Sequence, residues 1–503
     1  MSTEAPNPPD PAAVKRHRAL FRAVKRRLSP RIRRSDITVT DEATVRRATK
    51  AAAVGNAMEW FDFGIYAYLA VTIGKVFFPG GGSTQLLASF TAFAASFLVR
   101  PLGGLFFGPL GDRVGRKKVL ALTMMLMAAG TFCIGLIPSY DSIGIASPIL
   151  LLLCRVVQGF STGGEYGGAA TFIAEYAPDK RRGYFGSFLE LGTLTGYTGA
   201  AALVLVLNTT LGEQGMLDWG WRIPFLVGGP IGAVGLYLRM RLDETPAFQK
   251  RAAELSHSPE AGREQAAEPK LSENVPQKEL KTIFAEQWPT LLLCVGLVAA
   301  YNVTDYMLLS YMPAYLTSEL DYKDSMELVA AIIAMLAMMT VLQRVGHLND
   351  RFGRKPVLLA GMLGFLVLTV PAFALFQQGS FLAVLGGMLM LSACLVCLLG
   401  TMSATLPALF PTDVRYGSLS IGYNVATSVF GGTAPGIMTF LVDSTGNKLA
   451  PAYYSSGAAV LGIIAVLCMK ETSGRPLEGS PPSVSTEEEA RELARAQTHE
   501  PSF

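Results

Sequence analysis

Apolar character in this chain persists over runs longer than the ~20 residues that a helix needs to cross a bilayer. The run 381–408 (FLAVLGGMLMLSACLVCLLGTMSATLPA) contains no charged residue at all. A soluble core does not need such runs, and the chain has too little charge to solvate one: 16% of its 503 residues are charged, against about 25% in soluble domains. An ordinary cytosolic enzyme, a secreted disulfide scaffold and a disordered chain are thereby excluded. The runs are too long and too evenly apolar for barrel strands. In lipid every backbone polar group must be paired internally, so helices are the spanning form that remains. Hydropathy places spans near 50–72, 85–108, 118–138, 147–172, 184–207, 220–240, 288–314, 326–346, 356–376, 381–408, 418–441 and 450–469. The expected fold is an all-α integral membrane protein with twelve transmembrane helices.

Basic residues set the orientation. Arg113, Arg116, Lys117 and Lys118, then Lys180, Arg181 and Arg182, then Arg351, Arg354 and Lys355 fall at alternate turns, whereas Lys75, Lys323 and Lys448 stand alone on the other side. The positive-inside rule therefore puts both termini and the central loop in the cytoplasm. The first fifty residues hold thirteen Lys/Arg against five Asp/Glu, too polar for a signal peptide. Segment 1–48 is read as topology-setting and disordered, with anionic lipid as its alternative contact. Six cysteines lie in apolar stretches rather than in a spaced framework. Cys394 and Cys397 form a C-x-x-C on a continuous lipophilic helix, where packing is the expected role. Four scattered histidines make no metal site, and neither metal nor cofactor is expected.

The stretch 243–287 is polar and reads as a linker between a bundle at 49–242 and another at 288–470, with a short tail at 471–503. The two halves look duplicated. Gly108-x-x-x-Asp112-Arg113-x-Gly115-Arg116-Lys117 returns as Gly346-x-x-x-Asp350-Arg351-x-Gly353-Arg354-Lys355. Pro178 with Arg182 returns as Pro411 with Arg415, and Glu244-Thr245 as Glu471-Thr472. Each copy lands six helices later. Parallel repeats of this kind describe a secondary transporter with a cavity between two six-helix bundles. No G-x-x-x-x-G-K-[ST] occurs, so a fused nucleotide-driven motor is excluded.

The duplicated motif resembles the signature of the major facilitator superfamily. Gly55-Asn56-Ala57-Met58-Glu59-Trp60-Phe61-Asp62-Phe63-Gly64, Arg100-Pro101-Leu102-Gly103-Gly104, Gln158-Gly159-Phe160-Ser161-x-Gly163-Gly164-Glu165-Tyr166 and Asp218-Trp219-Gly220-Trp221-Arg222-Ile223-Pro224 resemble its metabolite:proton symporter family. Within that family, residues 45–475 are similar to the proline/glycine betaine transporters. The resemblance implies proton-coupled import of zwitterionic compatible solutes by alternating access. It also implies that Gly108, Asp112, Arg113, Gly115 and Arg116, with Gly346, Asp350, Arg351, Gly353 and Arg354, form gate latches that stabilise an outward-facing state. Two features depart from the pattern. The tail is too short for a long osmosensing coiled coil, since Thr486 to Gln497 offers three helical turns without heptads. Asp305 stands where the resemblance leads one to expect tyrosine.

A charged residue inside a span is costly and by default functional. Glu59, Asp62, Glu165, Glu190 and Asp305 are the candidate proton-coupling carboxylates; Arg100 and Arg155 are the cations. At helical pitch Arg155, Gln158, Thr162, Glu165 and Tyr166 form one polar stripe, and Asn56, Glu59, Asp62, Phe63 and Tyr66 a second. Glu59 or Asp62 is the expected proton carrier with Arg155 as its partner, the alternative being fixed ion pairs; Arg100 is expected nearer the cytoplasmic end. Five carboxylates against two arginines disfavour a dianionic substrate, which would want cations in excess. A zwitterion needs one cation and an anionic or aromatic surface, offered by Trp60, Phe61, Tyr66, Tyr166, Tyr301 and Tyr306. Candidate substrate contacts are Arg155, Gln158, Trp60, Tyr66, Tyr166, Tyr306 and Arg100. The expectation is a monomeric symporter of a bacterial plasma membrane whose partners are a small zwitterion, protons and lipid, with no nucleic acid. An organic-acid symporter and a non-transporting sensor are the rivals.

Overall fold

The computed structural model describes residues 34–114, 116–240, 287–322, 325–412 and 414–496. It is helical apart from one two-residue strand pair. Among the described residues, nine helices are long and apolar enough to cross a membrane: Ser83–Phe107, Ala146–Tyr176, Asp179–Gly220, Trp288–Ser318, Met326–Phe352, Arg354–Phe376, Phe381–Thr405, Arg415–Thr445 and Ala450–Cys468. Three further helices pack into the same body. Glu42–Tyr68 lies along Arg182–Gly215, Arg116–Leu136 lies against Arg222–Met240, and Ala146–Ser161 also flanks Arg116–Leu136. Glu42–Tyr68 misses the apolarity threshold because its first turns carry Arg46, Arg47 and Lys50 and its second half carries Glu59 and Asp62. In Arg116–Leu136 the apolar part is only Ala121–Leu136.

Close helix packing depends on small residues where backbones meet. A Cβ on Gly159 would sit 1.6 Å from the Ser96 carbonyl oxygen, and one on Gly163 2.1 Å from that of Arg100. The Gln158–Gly164 and Arg100–Gly104 motifs are thus the two faces of one contact, which seats Arg100 and Arg155 side by side in the bundle. Several expected single spans are broken. Helix Ala146–Ser161 ends before a second begins at Glu165, and π-helical turns interrupt two others at Met307–Tyr311 and Thr427–Gly431. Such turns free backbone groups and collect at functional sites. Here Asn302 donates to Thr427 Oγ1 at 2.8 Å, joining the two interrupted helices.

The first helix begins at Glu42, capped by Asp41, earlier than the expected edge of the bundle. The chain just before it is ordered too, against the expectation of disorder. Strand β1 (Thr38–Val39) pairs in parallel with β2 (Ser483–Val484) of the tail, and Ile37, Val484 and Ala490 bury one another beneath helix Glu487–Ala496. Arg34 pairs with Glu487 at the rim of this small knot. The call for a linker at 243–287, Glu244-Thr245 and most of segment 1–48 fall outside the described residues.

Candidate functional site

The helix Glu42–Tyr68 presents its polar stripe inward, and each member finds a partner on a different neighbour. Asn56 donates to the Leu189 carbonyl at 2.8 Å and to Thr193 Oγ1 at 2.7 Å. Glu59 accepts from Arg100 at 3.0 Å in a fully buried ion pair. Asp62 Oδ2 accepts from Thr131 Oγ1 at 2.7 Å. Phe63 and Tyr66 lie under guanidinium groups: Arg100 sits 4.6 Å above the Phe63 ring and 4.4 Å above Phe97, and Arg155 sits 4.2 Å above Tyr66. This corrects two expectations. Arg100 is not an end-of-helix residue but the direct partner of Glu59. Arg155 reaches no acid directly; its path to Asp62 runs through Gln158 Oε1 (3.0 Å), then Gln158 Nε2 to Thr131 (2.7 Å), then Asp62.

Arg155 is therefore unusual. It is buried, bonds only to neutral groups (Gln158 and Ser96 Oγ, 2.9 Å), makes no ion pair among the described residues, and leaves its Nε without a partner. Burying a cation without an anion is costly, so this guanidinium is a receptor held open by hydrogen bonds and aromatic faces.

The stripe expected along 155–166 does not act as one, because the helix breaks at Thr162–Gly164. Arg155 and Gln158 look toward Asp62. Glu165 instead accepts from Thr123 at 3.0 Å. Tyr166 turns the other way, donating to Glu190 Oε1 at 2.7 Å and stacking on Tyr423 with centroids 4.0 Å apart. Glu190 also accepts from Thr193 (3.0 Å) and Tyr301 (3.4 Å). One turn beyond Tyr301 on the same helix face is Asp305, buried, with Oδ1 unpartnered. Tyr306 beside it packs edge-on to Trp60 (5.8 Å) and Phe97 (5.4 Å). The expected carboxylates and aromatics thus share one interior, bounded by residues from both halves. Ser96, Thr131, Phe93, Phe97, Tyr197 and Tyr423 belong to it as well and escaped the sequence reading. Neutral hydroxyls carry no desolvation penalty large enough to stand out, and aromatics in spans are common on lipid faces.

At the end of the bundle rich in basic residues the second motif copy is fully engaged. Asp350 accepts from the backbone N–H groups of Gly183 (2.7 Å) and Tyr184 (2.8 Å), at the first turn of Arg182–Gly215, where the helix dipole favours an anion. Gly346 approaches the same turn, and Gly353 holds φ at 101°. Arg354 is buried and donates to Thr472 at 2.6 Å, while Arg351 lies at the exposed edge over Phe352. Arg415 crosses the halves to Glu175 at 2.8 Å. Glu471 accepts from the N–H groups of Arg354, Lys355, Thr472 and Ser473. Burial pushes its carboxyl up, but those four donors outweigh it and hold the group below the usual carboxylate range. In the first copy, Gly115 and the side chains at Gly108, Asp112, Arg113 and Arg116 lie outside the described residues.

Residues 48–482 match the sugar (and other) transporter family, and the chain belongs to that family of the major facilitator superfamily: it is a membrane solute transporter, not an enzyme. The proline/betaine transporter of Escherichia coli (strain K12) is 47% identical over 471 residues, covering 93% of this chain and 92% of that protein. The glycine betaine/proline/ectoine/pipecolic acid transporter OusA of Dickeya dadantii is 45% identical over 470 residues, with 93% and 92% covered. Among solved structures, the proton:xylose symporter XylE bound to 6-bromo-6-deoxy-D-glucose aligns at TM-score 0.69 and 18% identity, over 87% of this chain and 98% of that one. That last likeness is one of fold.

Proposed function

We propose that this protein is a proton-coupled symporter for small zwitterionic solutes of the proline and betaine class, working by alternating access in a bacterial plasma membrane. In this reading the nine apolar helices and the three that pack with them make twelve spans, and the basic end with both termini faces the cytoplasm. The observation that carries the substrate reading is the pairing of two unmet needs in one aromatic-lined interior: a buried arginine without an acid, Arg155, and a buried acid with an open oxygen, Asp305. A zwitterion supplies the missing carboxylate to one and the missing cation to the other. A dianion would leave Asp305 worse off than before.

Proton carriage falls to Asp62 on energetic grounds. Protonating Glu59 would break a buried ion pair and strand Arg100, which is costly. Protonating Asp62 breaks none among the described residues, since its bonded neighbour is the Thr131 hydroxyl. Asp62 is wired through Thr131 and Gln158 to Arg155, so a solute carboxylate arriving at Arg155 changes the field at the proton site. An inward proton gradient supplies about 2.3 kcal/mol per charge per 100 mV.

The test is uptake by purified protein in liposomes, comparing labelled proline, betaine and 2-oxoglutarate with and without an imposed proton gradient. Uphill entry of proline or betaine that collapses with a protonophore supports the reading. Entry of 2-oxoglutarate alone replaces it with an organic-acid symporter, and no entry of any solute favours a sensor.

A further inference from the structure

We propose that Asp305 is a specificity residue that reads an N–H on the cationic head of the solute, so that the transporter prefers ammonium or amidinium groups bearing hydrogens over fully methylated ones. The inference rests on the zwitterion reading and narrows it. Within the interior, two carboxylates face the same aromatic set, yet they differ in what they have left to offer. Glu190 is saturated: Tyr166 holds Oε1, and Thr193 and Tyr301 hold Oε2. Asp305 is 2% exposed and its Oδ1 has no partner. A second buried group in the same place is also unmet, the hydroxyl of Tyr306, which is fully buried.

Tyr301 and Asp305 share a helix face, and Tyr301 touches Glu190, which places the open oxygen at the Glu190 chamber. Tyr306 packs against Trp60 and Phe97 and so leads from that chamber toward the guanidinium groups. The interior thus has a cationic pole at Arg155 and an anionic pole at Asp305, with aromatic rings between. Aromatic faces attract any ammonium, methylated or not. The open carboxylate oxygen discriminates: it gains a charge-assisted hydrogen bond from an N–H and nothing comparable from an N-methyl group. A polar site left unpaired by an analogue rejects that analogue strongly.

The experiment uses the full-length protein in liposomes and the series proline, N-methylproline and N,N-dimethylproline, which carry two, one and no hydrogens on nitrogen. Each competes against labelled proline, with wild type and Asp305→Asn compared. Wild type is expected to favour proline over N,N-dimethylproline by about tenfold or more, a charged hydrogen bond being worth that factor. Asp305→Asn is expected to weaken proline selectively, so that the three ligands come within about threefold of each other. Equal or better binding of N,N-dimethylproline by wild type overturns the proposal without any variant. Equal weakening of all three by Asp305→Asn also overturns it and leaves the zwitterion reading standing. Failure of wild type to bind any of the three, with 2-oxoglutarate bound, removes the zwitterion reading itself and this inference with it.

Discussion

Five carboxylates buried in one bundle look alike in a sequence, but their surroundings give them different work. Glu59 is committed to Arg100, Glu165 bonds Thr123, Glu190 is saturated by hydroxyls, Asp62 meets one neutral hydroxyl, and Asp305 keeps an open oxygen. Glu59→Gln is therefore expected to leave Arg100 buried without its ion-pair partner, at a cost of roughly 3–5 kcal/mol; a lowered melting temperature with loss of both uphill uptake and exchange would register it. Asp62→Asn is expected to be milder and more selective. It should abolish gradient-driven accumulation while exchange of preloaded solute continues, and loss of exchange in a normally folded variant would move Asp62 from proton carrier to binding residue. Which carboxylates are present was legible from the chain. Which cation each one meets was not, because Arg100 and Arg155 lie on different helices and only their packing decides that Arg100 takes the acid.

Among the elements, the contact between Ser83–Val114 and Ala146–Ser161 is set by glycines whose absent side chains let backbones touch. Gly159→Ala puts a methyl group into the Ser96 carbonyl, and the helices must separate. Overpacking of this kind costs about 1–3 kcal/mol, and because Ser96 holds Arg155, solute affinity should fall along with thermal stability. Gly386→Ala is the control: nothing lies within 4 Å of the added methyl, so its effect should stay within about 1 kcal/mol, the helix-propensity difference. The sequence motifs carrying these glycines pointed to the right segments. Helix breaks were a different matter. The turn at Thr162–Gly164 splits a stripe that regular helical pitch predicts to be continuous, and it sends Glu165 and Tyr166 to opposite neighbours.

For the whole molecule, the basic end is where the halves are tied. Asp350 caps a helix of the first half, Arg415 reaches Glu175, and the tail crosses both: Arg182 bonds the Arg475 carbonyl, Arg415 the Glu478 carbonyl, and Ser483 donates to Asp179. Removing residues 476–503 deletes the Glu478 and Ser483 contacts and the β1–β2 pair together. Faster labelling of single cysteines placed at the basic end is the expected result, and unchanged labelling would mean that the tail plays no part in closure. A pH effect belongs at this scale also. Glu471 has its carboxyl held lower in the folded protein than in an unfolded chain. Its contribution is therefore full above the unfolded value of about 4.3 and is lost as pH falls through the lower folded value. The melting-temperature gap between wild type and Glu471→Gln should be widest near neutrality and close below pH 4.

The sequence by itself determined that this chain is a helical membrane transporter of two related halves, because apolar run length and motif repetition are properties of the chain that no packing can undo. Tertiary structure decided which charges are paired and which stay open, where the helices break, and that the tail joins the N-terminal strand. Those outcomes depend on distances between residues far apart in sequence. For a buried charge, a shift of a few ångströms between one partner and another separates a structural ion pair from a vacant receptor.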